Sequence, residues 1–274
     1  MFHSGPARKL SRMVSERDEW LLQREARIFS LENEIARREA TIRDREERIA
    51  LLEDQVRRLE TPRLPPRTHD LRLRLKDVLA RLPGWCPEAK ARWMVGRILG
   101  CDYKIATEIG VFAGRSVFPI ALAIAANNGL AVYAVDAWEN AIASASSSEY
   151  HDHVWWDDVD LVSIKSSFLK EIISQNLVGL VKLLELPSGL AYAAASQKIG
   201  RTIDFLHIDG AHSEEQALSD AANWSQLVTR GGTIVLDDID WPGVVKAYQF
   251  LGEKFDKVHE LRGEKFAFAA FNVP

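Results

Sequence analysis

The chain has 274 residues, 47% of them hydrophobic and 27% charged, with a net charge of −4. This length allows one large domain or two small ones with a full core. Its slight acidity gives no basic face for nucleic acid, and no apolar stretch approaches the ~18 residues of a membrane helix. No apolar signal-peptide region opens the chain. Cys86 and Cys101 stand in no metal or CxxC spacing and suit a reducing compartment. A soluble cytoplasmic protein is the expectation.

Residues 1–60 read as a coiled-coil helix. Between Leu10 and Glu60 there is neither Gly nor Pro, and Val14, Leu21, Ile28, Ile35, Ile42, Ile49 and Val56 recur every seventh residue. A sustained seven-residue repeat favours a coiled coil and, with branched a positions, a parallel dimer. Leu31, Leu52 and Leu59 fill the companion d row, but Arg17, Arg24, Arg38 and Arg45 interrupt it. The alternative is a single charged helix. Self-association through this segment is the partner expectation, with no nucleic acid and no membrane span. Thr61-Pro62-Arg63-Leu64-Pro65-Pro66-Arg67 breaks the helix, since proline removes a donor and clashes with the preceding turn. Residues 61–70 are therefore a linker to a domain at 71–274. That domain opens with amphipathic helices near Leu71–Leu82 and Pro87–Leu99, divided by Pro83-Gly84.

From Lys104 strand and helix patterns alternate. Strands are expected at Ile105–Ile109, Ala131–Val135, Val181–Leu186, Ile203–Ile208, Thr233–Leu236, Lys257–Leu261 and Phe266–Phe271. Helices are expected at Ser116–Ala126, Ser188–Ile199, Ser213–Val228 and Pro242–Phe255, among others. Such alternation gives an α/β fold with a mostly parallel sheet covered on both faces. Only Arg262-Gly263-Glu264-Lys265 joins the last two strands, which permits a hairpin and not a crossover. The sheet therefore acquires an antiparallel strand.

The first strand runs into Glu108-Ile109-Gly110-Val111-Phe112-Ala113-Gly114-Arg115-Ser116. Glycine lets backbone approach a ligand and turn sharply, and Ser116 is placed to cap the next helix. The spacing is ExGxxxG, not the GxGxxG of a dinucleotide loop. Asp136 ends the second strand about 25 residues on, where an acid can bind ribose hydroxyls; the alternative is a strand-end cap. His207-Ile208-Asp209-Gly210-Ala211-His212 and Gly232-Thr233-Ile234-Val235-Leu236-Asp237-Asp238 are apolar runs that stop on carboxylates. Ligands sit outside the carboxyl ends of parallel strands. Asp209, Asp237 and Asp238 would there offer oxygens to a hard cation beside His212 as a general base. The alternatives are that Asp237 and Asp238 cap the following segment and that His212 orients Asp209.

In this order, Glu108-x-Gly110-x-x-x-Gly114, Asp136, HIDGAH and GGTIVLDD resemble class I S-adenosylmethionine-dependent methyltransferases over roughly residues 90–274. The resemblance implies a Rossmann-like seven-stranded sheet of order 3-2-1-4-5-7-6 with strand 7 antiparallel. It implies a cofactor site at Glu108, Gly110, Gly114, Ser116, Asp136 and Ser188, with adenine near Leu186–Ser188. Asp-Gly-x-His followed by a carboxylate pair is similar to metal-dependent macrolide-sugar O-methyltransferases. That similarity implies Asp209, Asp237 and Asp238 as ligands of a divalent metal, with Mg²⁺ favoured, and His212 as the base. The aminocoumarin branch carries an acid where this chain has Ala211. Catechol methyltransferases use a lysine base, and the sequence offers no matching lysine. The expected activity is metal-assisted methylation of a hydroxyl on a sugar or other vicinal diol.

Residues 137–160 hold Trp138, Tyr150, His151, His153, Trp155 and Trp156. They read as a long acceptor loop or an aromatic cluster beneath one. His151-Asp152-His153 also admits a second metal. Trp241-Pro242 reads either as a pocket wall or as a helix start with proline at its first position. The rival function is a coiled-coil scaffold with a cofactor-binding but inactive domain; an NAD enzyme is disfavoured by the missing GxGxxG.

Overall fold

The computed structural model describes residues 69–145 and 155–274, with Arg24, Arg38 and Glu39 from the N-terminal stretch. The expected coiled coil, most of the linker and the His151–His153 group lie outside the described residues. No helix among the described residues is long and apolar enough to cross a membrane.

Helices α1 (His69–Arg81) and α2 (Glu88–Gly100) lead into β1 (Ile105–Ile109), α3 (Val117–Ala126), β2 (Ala131–Val135), α4 (Asn140–Ala145) and α5 (Leu161–Ser174). Next come β3 (Val181–Leu184), α6 (Ser188–Lys198), β4 (Ile203–Ile208), α7 (Glu214–Trp224), β5 (Val228–Asp237), α8 (Val245–Lys254), β6 (Asp256–Arg262) and β7 (Ala267–Asn272). The sheet order is β3-β2-β1-β4-β5-β7-β6, parallel except that β7 runs antiparallel to β5 and β6. This is the topology the motifs imply.

Two apolar layers cover the sheet. One gathers α1, α2, α3 and α5 through Leu75, Met94, Phe118 and Phe168; the other gathers α6, α7 and α8 through Ala191, Trp224 and Leu251. Buried on both faces, the central strands read as nearly continuous apolar runs, so β1, β2 and β4 fall at the expected bounds. Strand β5 is longer than expected. Gly231-Gly232 looks like a turn, but it lies inside the strand, beside a register shift between Ile203 and Phe205. Gly231 has φ +77° there, the conformation a bulge requires.

Three local expectations are corrected. The hydroxyl of Ser116 does not cap α3; it donates to the Glu108 carboxylate. Pro242 is not the first residue of α8, which starts at Val245; it lies in a turn that leaves Trp241 on a cavity wall. The 137–160 loop contains α4, whose Ile142 and Ala143 border the same cavity.

Candidate active site

A cavity of about 740 Å³ opens at the carboxyl ends of β1, β2, β4 and β5. Its size suits a small-molecule site. Two halves meet in it, and they are built differently.

The β1–β2 half is made of backbone. Gly110 lies at φ +83°, and a Cβ there would stand 1.9 Å from the Asp209 carbonyl oxygen, so only glycine lets β4 come this close. Asp136 accepts the amides of Val111 (2.9 Å) and Phe112 (2.8 Å) on one oxygen and that of Trp138 (2.7 Å) on the other. Its carboxylate thereby shapes the loop as well as lining the cavity. Burial raises its pKa, against those three amides. Glu108 and Gly114 do not border the cavity. Fully buried Glu108 binds Ser116 and stands 3.2 Å from His207 Nδ1. Burial raises its pKa too. Gly114, at φ +87°, leaves room for Phe118 and Phe168. Ser116 and Ser188 do border the cavity. Arg115 Nε donates to the Cys86 carbonyl at 3.0 Å and its Nη1 to the Leu82 carbonyl, tying the loop to the α1–α2 corner.

Beside Ser188 lies Asp220, which the sequence did not single out. It is 1% exposed, and Oδ2 has no hydrogen-bond partner, while Gln216 Nε2 reaches Oδ1 at 3.3 Å. Burial pushes its pKa up to about 6, with Ser188 and Gln216 opposing. A buried, unsatisfied acceptor on a cavity wall is costly unless a ligand donates to it. That matches the donor-rich cofactor the motifs imply.

The β4–β5 half is made of charged side chains. Asp209, Asp237 and Asp238 do converge, one oxygen of each within 4.8 Å of the others. Lys90 comes with them. Its Nζ is 3.1 Å from Asp209 Oδ2 and in contact with Asp237 Oδ2, and the side chain is fully buried. Helix α2 delivers it by docking across the sheet. Arg97, two turns on, donates to Thr233 Oγ1 (2.9 Å) and Asn272 Oδ1 (2.6 Å), and Trp93 stacks on His259 at 4.8 Å. Buried Asp209 would have its pKa raised, but Lys90 and His207 outweigh burial and bring it to about 2. Asp237 goes well up, driven by burial and then by the Asp209 charge. Lys90 thereby sets an opposite charge against Asp209 and Asp237 in a low-dielectric site where unpaired carboxylates would be costly.

Asp238 points elsewhere. It holds φ +53°, rare for a non-glycine residue, and its Oδ2 lies 2.8 Å from His212 Nε2. Trp241 lies over the imidazole at 4.3 Å. The turn carrying Trp241 comes this near because a Cβ on Gly243 would sit 1.8 Å from the His212 carbonyl oxygen. His212, Asp209 and Asp238 all border the cavity. Across it stands an aromatic group: Trp85 lies 5.5 Å from Phe112 and 5.4 Å from Trp155, and Phe112 lies 5.9 Å from Trp156.

Sequence reasoning missed Lys90, Asp220, His207 and Trp85. A signal for Lys90 existed, since it falls in phase with Met94 and Ile98 on the buried face of α2.

Residues 107–239 match the family of methyltransferase domains. Solved structures share the fold. An O-methyltransferase from Bacillus cereus in complex with SAH is 15% identical, with TM-score 0.53 over 72% of this chain and 90% of that one. The O-methyltransferase TomG from Streptomyces achromogenes, in complex with SAM, is 15% identical, with TM-score 0.53 over 73% and 89%. The SAH-bound methyltransferase PaMTH1 of Podospora anserina is 15% identical, with TM-score 0.52 over 83% and 96%. Residues 107–239 thus carry a methyltransferase domain, and the fold is the one these SAM- and SAH-bound methyltransferases share.

Proposed function

We propose that the protein is an O-methyltransferase acting on a hydroxyl of a ring-shaped acceptor, a sugar or a comparable polyhydroxylated ring. The observation that carries this reading is the His212–Asp238 pair, which faces the cavity that the glycine loop also lines. The aromatic faces of Trp85, Trp155 and Trp241 suit a ring laid flat against them.

S-adenosylmethionine supplies a methyl group on a positively charged sulfur. Asp238 holds the proton of His212 on Nε2, which makes Nδ1 the basic nitrogen of the ring. His212 then takes the acceptor's hydroxyl proton at Nδ1. The cofactor, held beside Gly110, Asp136 and Ser188, would offer its methyl carbon to the acceptor oxygen and would keep the carbon–sulfur electron pair on sulfur. Asp238 stabilises the imidazolium until the proton leaves to solvent. Most of the acceleration expected from such a site comes from holding the two reactants in register, with general-base catalysis adding ~10²–10⁴-fold.

Divalent-metal assistance is not part of this proposal. Mg²⁺ needs near-octahedral oxygens at about 2.1 Å and keeps several waters. Here Asp209 and Asp237 each give an oxygen to Lys90, and Asp238 gives one to His212. The void bordered by the three acids is about 10 Å³ and is otherwise walled by groups such as Ile208, Ala217, Leu236 and Val244. Asp209 and Asp238 also border the larger cavity, so what opposes a metal is that Lys90 and His212 already hold these carboxylate oxygens.

Calorimetry with S-adenosylmethionine, followed by detection of S-adenosylhomocysteine over a panel of saccharides and polyhydroxylated rings, tests the reading. Binding with acceptor-dependent product is expected. Failure to bind the cofactor, or binding with no product from any ring hydroxyl, rejects it.

A further inference from the structure

We propose that Lys90 takes the place of a divalent cation at the acidic ends of β4 and β5, so that these carboxylates serve the fold and the acceptor site without a metal. The inference deepens the functional reading above but is tested separately from it.

Asp209, Asp237 and Asp238 end adjacent parallel strands, and a group of like charges held so close needs compensation. A cation bound to both Asp209 Oδ2 and Asp237 Oδ2 would stand where Lys90 Nζ stands. The ammonium is not a solvated surface group that can swing aside. Its side chain is fully buried, and its helix is pinned by Arg97 and Trp93. His207 Nε2 stands 3.8 Å from Asp209 Oδ2 on another side. Asp237 Oδ1 is the one oxygen of Asp237 without a partner, and Asp237 does not border the large cavity.

Lys90 is a positioning residue, not a base. Its ammonium is held by two carboxylates and does not reach the cavity wall. It fixes Asp209 at the point where β4 meets Gly110, and leaves Asp238 to orient His212. Chelation by two neighbouring hydroxyls is then not required, and a single hydroxyl suffices on the acceptor.

The test is a Mn²⁺ titration of the full chain followed by electron paramagnetic resonance, with thermal melting alongside. The wild type is expected to bind no Mn²⁺ and to melt unchanged. Lys90→Ala is expected to melt lower, bind one Mn²⁺ and regain stability with it, and Asp209→Asn in that background is expected to abolish both effects. Stoichiometric Mn²⁺ on the wild type that Asp209→Asn removes would overturn the proposal. So would a folded Lys90→Ala protein that ignores Mn²⁺. Lys90→Met, close in length and neutral, replaces Lys90→Ala if that variant does not fold. Should neither fold, refolding from urea decides: rescue by Mn²⁺ supports the substitution, and indifference to it overturns it. No acceptor enters these measurements, so a failed methyl-transfer assay leaves their outcome intact.

Discussion

The two halves of the cavity solve one problem, strand ends that carry acids, by opposite means. At the β1–β2 end Asp136 is satisfied by amides of Val111, Phe112 and Trp138, all within about 25 residues of it. At the β4–β5 end one oxygen each of Asp209 and Asp237 is held by a single side chain 119 and 147 residues away in sequence. A carboxylate held by local amides is part of a loop's shape. A carboxylate held by a distant ammonium depends on the docking of a whole helix. The first arrangement suits a constant ligand such as the cofactor, and the second puts the reactive side under the control of α2.

The largest effect that would sharpen this contrast is on catalysis. His212→Ala should lower kcat by ~10²–10⁴-fold while leaving cofactor affinity near that of the wild type. Steady-state kinetics beside calorimetry separate the two, and an unchanged kcat would move the base elsewhere.

A smaller effect belongs to the cofactor side and has a pH signature. Asp220 titrates at about 6 in the folded chain, against 3.8 for the free side chain. Between those values the folded state holds a proton that the unfolded state has lost, so stability falls as pH rises through the window. Asp220→Asn removes this penalty. At pH 7 it should be more stable than the wild type by on the order of 2–3 kcal/mol, with the difference vanishing below pH 4. Urea unfolding at the two pH values measures it. The same variant should bind S-adenosylmethionine several-fold more weakly, and equal affinity would place Asp220 outside cofactor recognition.

The smallest effect tests the loop's foundation. Ser116→Ala removes the hydroxyl that bonds Glu108 and should cost about 1–2 kcal/mol of stability. No loss would mean that Glu108 needs no donor beyond His207.

Most of the architecture was legible because it rests on local rules. Strands β1, β2 and β4 are short apolar runs, and the four-residue link before β7 dictates its direction. The glycines of the loop were legible too, since close approach and positive φ leave few other choices. What escaped was every contribution that tertiary packing makes from afar. Lys90 reads as one more charged residue on an amphipathic helix until α2 is laid across β5 and β7. Asp220 reads as helix surface until β4 closes over it. Ser116 reads as a cap because capping is the commoner use of a serine before a helix, and the buried acid beneath it changes its partner. Pro242 misled for the same reason: turn chemistry states what a backbone can do, not where neighbours require it.

Arg115 ties the glycine loop to the corner between α1 and α2. It follows the second loop glycine directly and grips the carbonyls of Leu82 and Cys86, the corner that carries exposed Trp85. The glycine loop and the aromatic rim therefore share one hydrogen-bonded anchor. A change in that corner is thus shared by the wall at Gly110–Phe112 and the wall that carries Trp85.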